Sequence, residues 1–344
     1  MARVLVAMSG GVDSSVAAAL MIEQGHDVTG VTLKLWGGEQ DSGCCSASDV
    51  EDARRVAAQL GVPHYVFNFT EDFDADVVDP YIEAYANGTT PNPCVECNRT
   101  MKWGRLLKRS EQLGFDALVT GHHARIVDTS EGPRLGRGDD PNKDQSYVLY
   151  MLNDAQLRRT LLPVGHMTKA DVRAIAARLD LRTATKSESM DVCFITKGGR
   201  EAFLGARIPR APGTIVTTDG AVVGAHAGID AFTIGQRRGL NVAVGERRYV
   251  VDVDANTATV TIGERADLLR PVVRLRNIEF ASGEAPSGES IKSLNAQVRA
   301  HGDAHVGRLV GDELVWMHPQ PRVAPGQVVV FYSDDVVFGG GIAC

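Results

Sequence analysis

The sequence predicts an α/β fold, a doubly wound parallel sheet, followed by a small β-rich central domain and a β-rich C-terminal domain. Short apolar segments rich in Val or Leu alternate with helical patterns over the first two hundred residues. A glycine- and serine-rich string joins the first predicted strand to the first predicted helix. After Phe203, β-branched and polar residues alternate between turn signals. With 344 residues, 44% of them hydrophobic, the chain is long enough for two or three domains with buried cores.

The first two hundred residues supply the strands and helices of the parallel sheet. The predicted strands are Arg3–Met8, His26–Leu35, His64–Asn68 and Ala117–Thr120. The predicted helices are Ser14–Glu23, Ser48–Leu60 and Lys102–Leu113. Residues 145–185 are expected to continue as helix, with Thr168 capping the patterned segment Ala170–Leu179. In such a sheet, ligands bind beyond the carboxyl ends of the strands.

The second half reads as all-β. Residues 213–228, 247–263 and 272–344 carry strand-like alternation between Gly, Asp-Gly and Pro-Gly turns. The change from helical to strand-like patterns predicts one domain boundary near residue 205, and we place another near residue 270. The predicted domains are therefore 1–204, 205–269 and 270–344.

Composition limits the class of protein. No apolar run approaches the roughly 18 residues needed to span a bilayer, and the N-terminus lacks a secretory signal, so we expect a cytoplasmic protein without a membrane segment. A net charge of −7 argues that any contact with nucleic acid is local. Six cysteines are too few for a disulfide scaffold, which favours catalytic, redox or metal-binding thiols, or inert core thiols.

The string SGGVDSS, Ser9 to Ser15, follows the first strand and opens the first helix. Its glycines let the backbone approach an anion, while free amides and the helix dipole face a phosphate. It lacks the Gly-Lys-Ser/Thr end of a Walker A loop and the G-x-G-x-x-G dinucleotide turn. It resembles the PP-loop of the ATP pyrophosphatases. That resemblance implies ATP binding by Ala7, Met8, Ser9, Gly10, Gly11, Val12, Asp13, Ser14, Leu33 and Gly121.

Asp13 has three open roles at this stage. Its carboxylate either orients the loop, holds magnesium, or pairs with the dipole at the N-terminus of the first helix. ATP and magnesium are the expected cofactors, and we assign no residue as a dedicated metal ligand.

Two strings contain the candidate catalytic thiols. They are NPCVECN, with Cys97, and DVCFI, with Cys193. Both resemble the cysteine motifs of tRNA 2-thiouridylases, a family whose domains include a C-terminal β-barrel. The resemblance implies that Cys193 carries a persulfide received from a sulfur donor. Cys97 then attacks that persulfide or its product and leaves a Cys97–Cys193 disulfide for a reductant to reopen.

Cys94 departs from one form of the family pattern, in which an aspartate stands three residues before the first catalytic cysteine. The departure puts a carboxylate acid or base in doubt and creates C-x-x-C. Cys94, Cys97 and Cys193 are therefore also candidates for an iron–sulfur cluster, or, with Cys44 and Cys45, for a zinc site. Without such a site, Cys44 and Cys45 are expected to be structural.

Further strings match the family's tRNA-contacting motifs. They imply tRNA contacts by His122, Lys143, Asp144, Gln145, Arg299 and Gln327, with GQRRGL (residues 235–240) as another turn facing tRNA. His123 stands where a tyrosine is common, and Ala300-His301 where an aromatic and a basic residue are usual. Arg99, Lys102, Arg105, Lys108 and Arg109 form a basic stripe if they share a helix.

The resemblance implies conversion of the wobble uridine of tRNA to 2-thiouridine, with AMP and pyrophosphate as by-products. The sulfur donor is expected to be a cysteine desulfurase or a sulfur-relay protein. Other PP-loop enzymes, such as argininosuccinate synthetase and GMP synthetase, transfer nitrogen and do not need two separated thiols. A nucleotide sensor without chemistry would keep the loop and have no use for the thiols.

Overall fold

The computed structural model of the chain describes residues 1–36, 47–187, 192–195, 199–242, 245–283 and 290–344. Cys44 and Cys45, Met190 and Asp191, and most of the loop-like stretch 281–289 lie outside these residues. Within them, no helix is both long and apolar enough to cross a membrane.

The N-terminal part alternates strands and helices around a parallel sheet. In chain order its elements are β1 (Arg3–Ala7), α1 (Val12–Glu23), β2 (Asp27–Lys34), α2 (Ala47–Leu60), β3 (His64–Asn68), α3 (Thr70–Phe73), α4 (Asp79–Ala86), α5 (Pro93–Glu96), α6 (Leu107–Gln112), β4 (Ala117–Val119), β5 (Ala124–Thr129), β6 (Gly132–Arg137), α7 (Asp154–Leu157), β7 (Thr160–Leu161), α8 (Lys169–Arg178) and α9 (Gly199–Gly205). Among the described residues, the sheet has the order β3-β2-β1-β4-β7, and every pairing is parallel. The predicted fold class is confirmed.

The sheet order puts the glycine-rich string at the point where ligands bind. β1 lies at the centre of the sheet, with β2 on one side and β4 on the other, so the strand order reverses direction at β1. The crevice of a doubly wound sheet opens at such a point, beyond the carboxyl ends of the strands. Ser9–Ser15 follows β1 directly and therefore lies in that crevice.

Helix α8 covers α1 on one face of the sheet. Val12, Val16 and Val172 belong to one buried cluster with Val4 and Val6 of β1. The predicted cap is confirmed: Thr168 accepts from the backbone N–H of Asp171, and the Asp171 carboxylate accepts from the backbone N–H of Thr168. This reciprocal cap fixes the start of α8, and Lys169 is its first residue.

A long helical segment contains the first cysteine motif. Asn92 caps it by accepting from the N–H groups of Cys94 and Val95, and Pro93 occupies the first helical position. α5 passes into a π-helical stretch, Cys97–Leu106, and then into α6. The helix predicted at Lys102–Leu113 thus begins nine residues earlier, because the Asn-Pro pair starts it. π-Helical turns occur frequently at functional sites.

One prediction for this part was wrong, and one helical stretch was missed. Residues 145–185 are not one helical region, because Asn153 forms a second capping box and β7 follows. The helical stretch from α3 through a π-helical turn, Asp74–Val78, into α4 was not predicted at all.

The remainder is β-rich, as predicted. Its strands are β8 (Gly213–Thr217), β9 (Val222–His226), β10 (Tyr249–Asp254), β11 (Thr259–Gly263), β12 (Leu269–Phe280), β13 (Ser290–Gln297), β14 (His305–Val310), β15 (Glu313–Pro321), β16 (Val328–Ser333) and β17 (Val336–Ala343). Among the described residues, β10-β11-β8-β9 form the central sheet. Strands β12-β15-β14-β13-β16-β17 close into a barrel through an additional β12–β17 pairing. The barrel implied by the family resemblance is confirmed.

A hairpin from the N-terminal part extends the sheet of this barrel. β5 and β6 pair with each other, and β6 joins β17 where Gly136 faces Val336. The backbone N–H of Arg137 also donates to Asp335 O at 2.8 Å. The N-terminal and C-terminal parts therefore share one continuous sheet.

Candidate active site

The loop Ser9–Ser15 is held by its own hydroxyl groups. Ser14 Oγ accepts from the backbone N–H of Ser9 at 3.1 Å and donates to Gly11 O at 3.2 Å. Ser15 Oγ donates to the same carbonyl at 2.8 Å. Gly10 has φ +74°, and a Cβ there would overlap the carbonyl oxygen of Asp49. The loop shape thus requires glycine at this position.

Asp13 is engaged by two donors inside the protein. Lys169 Nζ donates to both of its carboxylate oxygens at 2.7 Å, and His123 Nε2 donates to Oδ1 at 3.1 Å. Burial alone would raise the pKa of Asp13, but the hydrogen bonds from His123 and Lys169 outweigh it and hold that pKa below the usual value. With both oxygens facing one ammonium group, Asp13 does not fit a magnesium ligand, and its geometry favours orienting the loop.

Gly121 lies against the backbone of the loop. A Cβ at Gly121 would come within 2.6 Å of both the carbonyl carbon of Asp13 and the nitrogen of Ser14. Gly121 follows β4, the neighbour of β1, so the absence of a side chain lets two adjacent strand ends converge. Leu33 and Met8, also predicted to bind ATP, are both buried.

Lys186 is a second cation at the loop. Its Nζ donates to Gly10 O at 3.0 Å, to Asp49 Oδ1 at 2.6 Å and to Asp52 Oδ2 at 2.7 Å. Asp49 and Asp52 lie in the first turns of α2. Lys186 therefore joins the loop, α2 and the segment that leads to Cys193.

Cys193 is positioned by its neighbour Phe194. Phe194 is buried, and its ring lies 5.2–5.7 Å from those of Phe73, Tyr81 and Phe203. Trp36 adds a fourth ring at 6.1 Å. Cys193 itself is half-buried. The aromatic contacts anchor this short segment at the residue next to the thiol.

The two cysteine segments meet on one hydrophobic core. Cys97 and Cys193 both pack against a cluster that also contains Leu33, and Ala7 at the end of β1 packs against the same cluster. Tyr81 contacts Phe194 and also lies near Cys94. Burial and Tyr85 are the main causes that raise the pKa of Tyr81, and Cys94 adds a smaller effect in the same direction. The start of the ATP loop and both cysteine motifs therefore pack on the same extended hydrophobic core.

His122 is buried beside the Cys97 helix. Lys102 Nζ donates to His122 Nε2 at 3.3 Å, so the ring Nδ1–H donates to Thr120 Oγ1 at 2.7 Å. Burial, followed by the positive charges of Lys102 and His123, lowers the pKa of His122 well below its usual value. His122, predicted to contact tRNA, therefore lies inside the protein as a neutral imidazole that accepts a hydrogen bond from Lys102.

The other predicted tRNA residues differ in exposure. Asp144 is buried and accepts from Arg137 Nη1 at 2.9 Å and from Ser146 Oγ at 2.9 Å, so its carboxylate holds the loop together rather than facing solvent. Gln145 Oε1 accepts from the backbone N–H of His123 at 2.9 Å. Lys143 is half-buried on the same loop.

Arg299 and Gln327 lie at contacts between parts of the chain. Arg299 is exposed, and its guanidinium lies 3.8 Å from the Cβ position of Gly235 in the GQRRGL turn. The turn containing Gln327 packs against Thr90, two residues before the first cysteine motif, since Thr90 donates its backbone N–H to Pro325 O at 2.7 Å. Arg299 therefore borders the central domain, and the turn with Gln327 borders the start of the helix that carries Cys97.

Two of the five residues in the predicted basic stripe form ion pairs with carboxylates. Arg99 binds Glu279 of β12 at 2.7 Å and 2.9 Å, and Arg105 binds Asp72 and Asp76 at 3.1 Å and 2.8 Å. Arg99 thereby ties the Cys97 helix to the barrel. Among the described side chains, no group of three or more His, Cys, Asp or Glu residues is arranged to hold a metal ion.

The comparisons with known proteins cover nearly the whole chain. The tRNA-specific 2-thiouridylase MnmA of Mycobacterium avium is 49% identical, over 97% of this chain and 95% of its own length. That of Roseiflexus castenholzii is 46% identical, over 99% of both chains. The chain belongs to the tRNA-specific 2-thiouridylase family. Membership confirms the resemblance seen in the cysteine motifs, and with it the prediction that the chain is an enzyme.

Family models match three successive regions of this thiouridylase family member. They are described as a tRNA methyl transferase HUP domain (residues 2–197), a tRNA methyl transferase PRC-barrel domain (201–264) and an aminomethyltransferase β-barrel domain (272–343). These descriptions name methyl transfer, whereas the relatives are named for thiolation. The relatives' name fits the residues better, because a loop for ATP and a pair of reactive thiols have uses in thiolation.

Sequence patterns alone missed several residues of this region. Lys169 and Lys186 lie far from the loop along the chain, and neither belongs to a motif that marks a phosphate site. The aromatic residues around Phe194 are likewise spread from Trp36 to Phe203.

Proposed function

We propose that this chain converts the wobble uridine of tRNA to 2-thiouridine, using ATP to activate the C2 oxygen and a cysteine persulfide as the sulfur source. The observation that carries the proposal is the shared hydrophobic core on which Ala7, Leu33, Cys97 and Cys193 all pack. This packing supports a site in which the nucleotide loop and both thiols work at the carboxyl end of the parallel sheet, where such folds bind substrates.

ATP activates the uridine in the first step. The C2 oxygen attacks the α-phosphorus, the bond to the β-phosphate oxygen breaks, and pyrophosphate leaves. The backbone amides of Ser9–Ser15 and the N-terminus of α1 hold the leaving pyrophosphate, and Asp13, held by Lys169, keeps the loop in shape. Magnesium enters as part of the substrate, bound to the phosphates of ATP rather than to Asp13.

Sulfur transfer follows at the adenylated base. The terminal sulfur of a Cys193 persulfide attacks C2, a C–S bond forms, and AMP leaves with the former C2 oxygen. The Cys97 thiolate then attacks the Cys193 sulfur, breaks the S–S bond and releases 2-thiouridine. The two cysteines are oxidised to a disulfide while the transferred sulfur is reduced, and an external dithiol returns both to thiols.

The target base must leave its stack to reach this region. We propose that Lys143 and Gln145 on one side, and Arg299 and Gln327 on the other, contact the tRNA backbone, with Asp144 holding the first loop. The donor of the persulfide is a cysteine desulfurase or sulfur-relay protein. We propose domain boundaries near residues 205 and 270.

The test measures AMP and 2-thiouridine formed from magnesium-bound ATP, unmodified tRNA and glutathione persulfide under aerobic, iron-free conditions. Wild type is expected to form 2-thiouridine in step with AMP, only when tRNA is present. Cys193→Ser and Cys97→Ser are each expected to lose 2-thiouridine. Cys94→Ser is the matched control in the same helix, and it is expected to retain activity.

Two results contradict the proposal. AMP formation without tRNA points to another PP-loop reaction. Loss of activity in Cys94→Ser, together with a wild type that works only after anaerobic reconstitution with iron, replaces the persulfide route with an iron–sulfur cluster held by Cys94, Cys97 and Cys193.

A further inference from the structure

We infer that Lys186 is a positioning residue that couples the ATP loop to the segment carrying Cys193, so that sulfur transfer depends on Lys186 more than adenylation does. The inference rests on the proposed function and deepens it. Lys186 precedes Cys193 by seven residues and belongs to neither cysteine motif nor the ATP loop.

The contacts of Lys186 join three parts of the site at one atom. Its Nζ donates to Gly10 O of the ATP loop and to the carboxylates of Asp49 and Asp52 in α2, all within 3.0 Å. The three side chains are largely buried, with 28% of Lys186, 16% of Asp49 and 20% of Asp52 exposed. A charge-assisted cluster of this kind fixes geometry more strongly than a surface ion pair does.

The ammonium group of Lys186 is held in its charged form. Burial would lower the pKa of Lys186, but hydrogen bonds to Asp49 and Asp52 and their negative charge raise it above the usual value. Lys186 therefore stays protonated at every pH at which the enzyme works, and it retains all three contacts.

The described residues on either side of positions 188–191 are held by the rest of the protein. On the N-terminal side, Arg173 of α8 donates to Ala184 O at 2.7 Å and Lys186 O at 3.1 Å, while the Lys186 side chain reaches the ATP loop. On the C-terminal side, Phe194 is buried among aromatic rings. Arg173 ties the N-terminal side to α8, and Lys186 ties it to the loop that holds pyrophosphate.

The ATP loop keeps its shape without Lys186. The hydroxyls of Ser14 and Ser15 bind Gly11 O, and Lys169 holds Asp13. Removing Lys186 costs the loop one hydrogen bond at Gly10, and we expect the larger effect on the position of Cys193, seven residues further along the chain. The two chemical steps are therefore expected to respond unequally.

The experiment compares Lys186→Met with wild type in single turnovers, using unmodified tRNA, ATP and glutathione persulfide. Pyrophosphate release is expected to slow by less than about tenfold, the worth of one hydrogen bond. Appearance of 2-thiouridine is expected to slow on the order of 100-fold, since a displacement of about 1 Å at a reacting group has an effect of that size. Lys186→Arg, which retains the charge, is expected to recover part of the thiolation rate.

Hydrogen–deuterium exchange supplies a readout independent of activity. In wild type, ATP is expected to slow amide exchange at residues 9–15 and also at residues 192–195. In Lys186→Met, ATP is expected to slow amide exchange at residues 9–15 alone. Arg158→Met is the control, because Arg158 forms an exposed ion pair with Asp154 on α7. It is expected to behave as wild type in both assays.

If Lys186→Met does not fold, Asp52→Asn removes charge from the same cluster and is expected to give the same unequal slowing. Equal slowing of pyrophosphate release and thiolation, or ATP-dependent protection of residues 192–195 in Lys186→Met, overturns the inference. A wild-type enzyme that releases pyrophosphate but never forms 2-thiouridine instead overturns the proposed function, so the two failures are distinguishable.

Discussion

Replacing Gly121 by alanine tests whether the end of β4 sets the shape of the ATP loop. The added Cβ would lie 2.6 Å from backbone atoms of Asp13 and Ser14, whereas ordinary contacts begin at 3.4 Å, so the loop must move by roughly 0.8 Å. Both obstacles are backbone atoms, and no flexible side chain can rotate away. Overpacking of this kind costs about 1–3 kcal/mol.

If that cost falls on the geometry that binds ATP, the KM for ATP in tRNA-dependent pyrophosphate release rises about 5- to 150-fold. Gly25→Ala is the matched control. Gly25 has φ +78° with no atom near the Cβ position, so alanine there strains an isolated turn without touching the loop. An unchanged KM for ATP in Gly121→Ala, with a loss of thermal stability equal to that of Gly25→Ala, would refute the reasoning.

Three further predictions follow from the same contacts. Phe194→Ala is expected to lower the free energy of unfolding by about 3–5 kcal/mol in a denaturant titration, since it empties a buried aromatic site, and Phe194→Leu by less; equal losses would contradict this. Lys169→Met is expected to lower the melting temperature at pH 7, because the lowered pKa of Asp13 in the folded protein stabilises the fold at pH values above its unfolded-state pKa of 3.8. The difference in melting temperature from wild type should shrink as the pH falls below about 4. A difference that stays constant with pH would exclude the ion pair as its source. His122 is expected to stay neutral from about pH 6 to 8, because Lys102 and burial oppose its protonation; NMR of the labelled ring should show no titration in this range, and a midpoint near 6.5 would contradict it.

The local parts of the fold were predictable because local chemistry specifies them. β1 to β4 are short apolar runs, and the cap at Thr168 needs only residues 168–171. The hairpin β5–β6 escaped prediction because its partner, β17, lies at the other end of the sequence. β7 is two residues long and has no pattern of its own.

The candidate site divides in the same way. Ser9–Ser15 and both cysteine motifs are contiguous strings, so the sequence reveals them directly. The partners that orient them, Lys169 for Asp13 and Lys186 for Gly10, come from more than 150 residues away. His122 was predicted to contact tRNA because its string resembles a family motif, and only the tertiary fold shows that it is buried.

The pairing of β6 with β17 also means that part of the sheet can form only late in biosynthesis. The hairpin β5–β6 leaves the ribosome early, but the strand that covers its edge is made about two hundred residues later. Until then β6 exposes unpaired backbone groups, the usual starting point for wrong strand pairing. The nascent N-terminal part is therefore an incomplete folding unit, and truncated chains that stop before residue 336 should aggregate rather than persist as a separate ATP-binding domain.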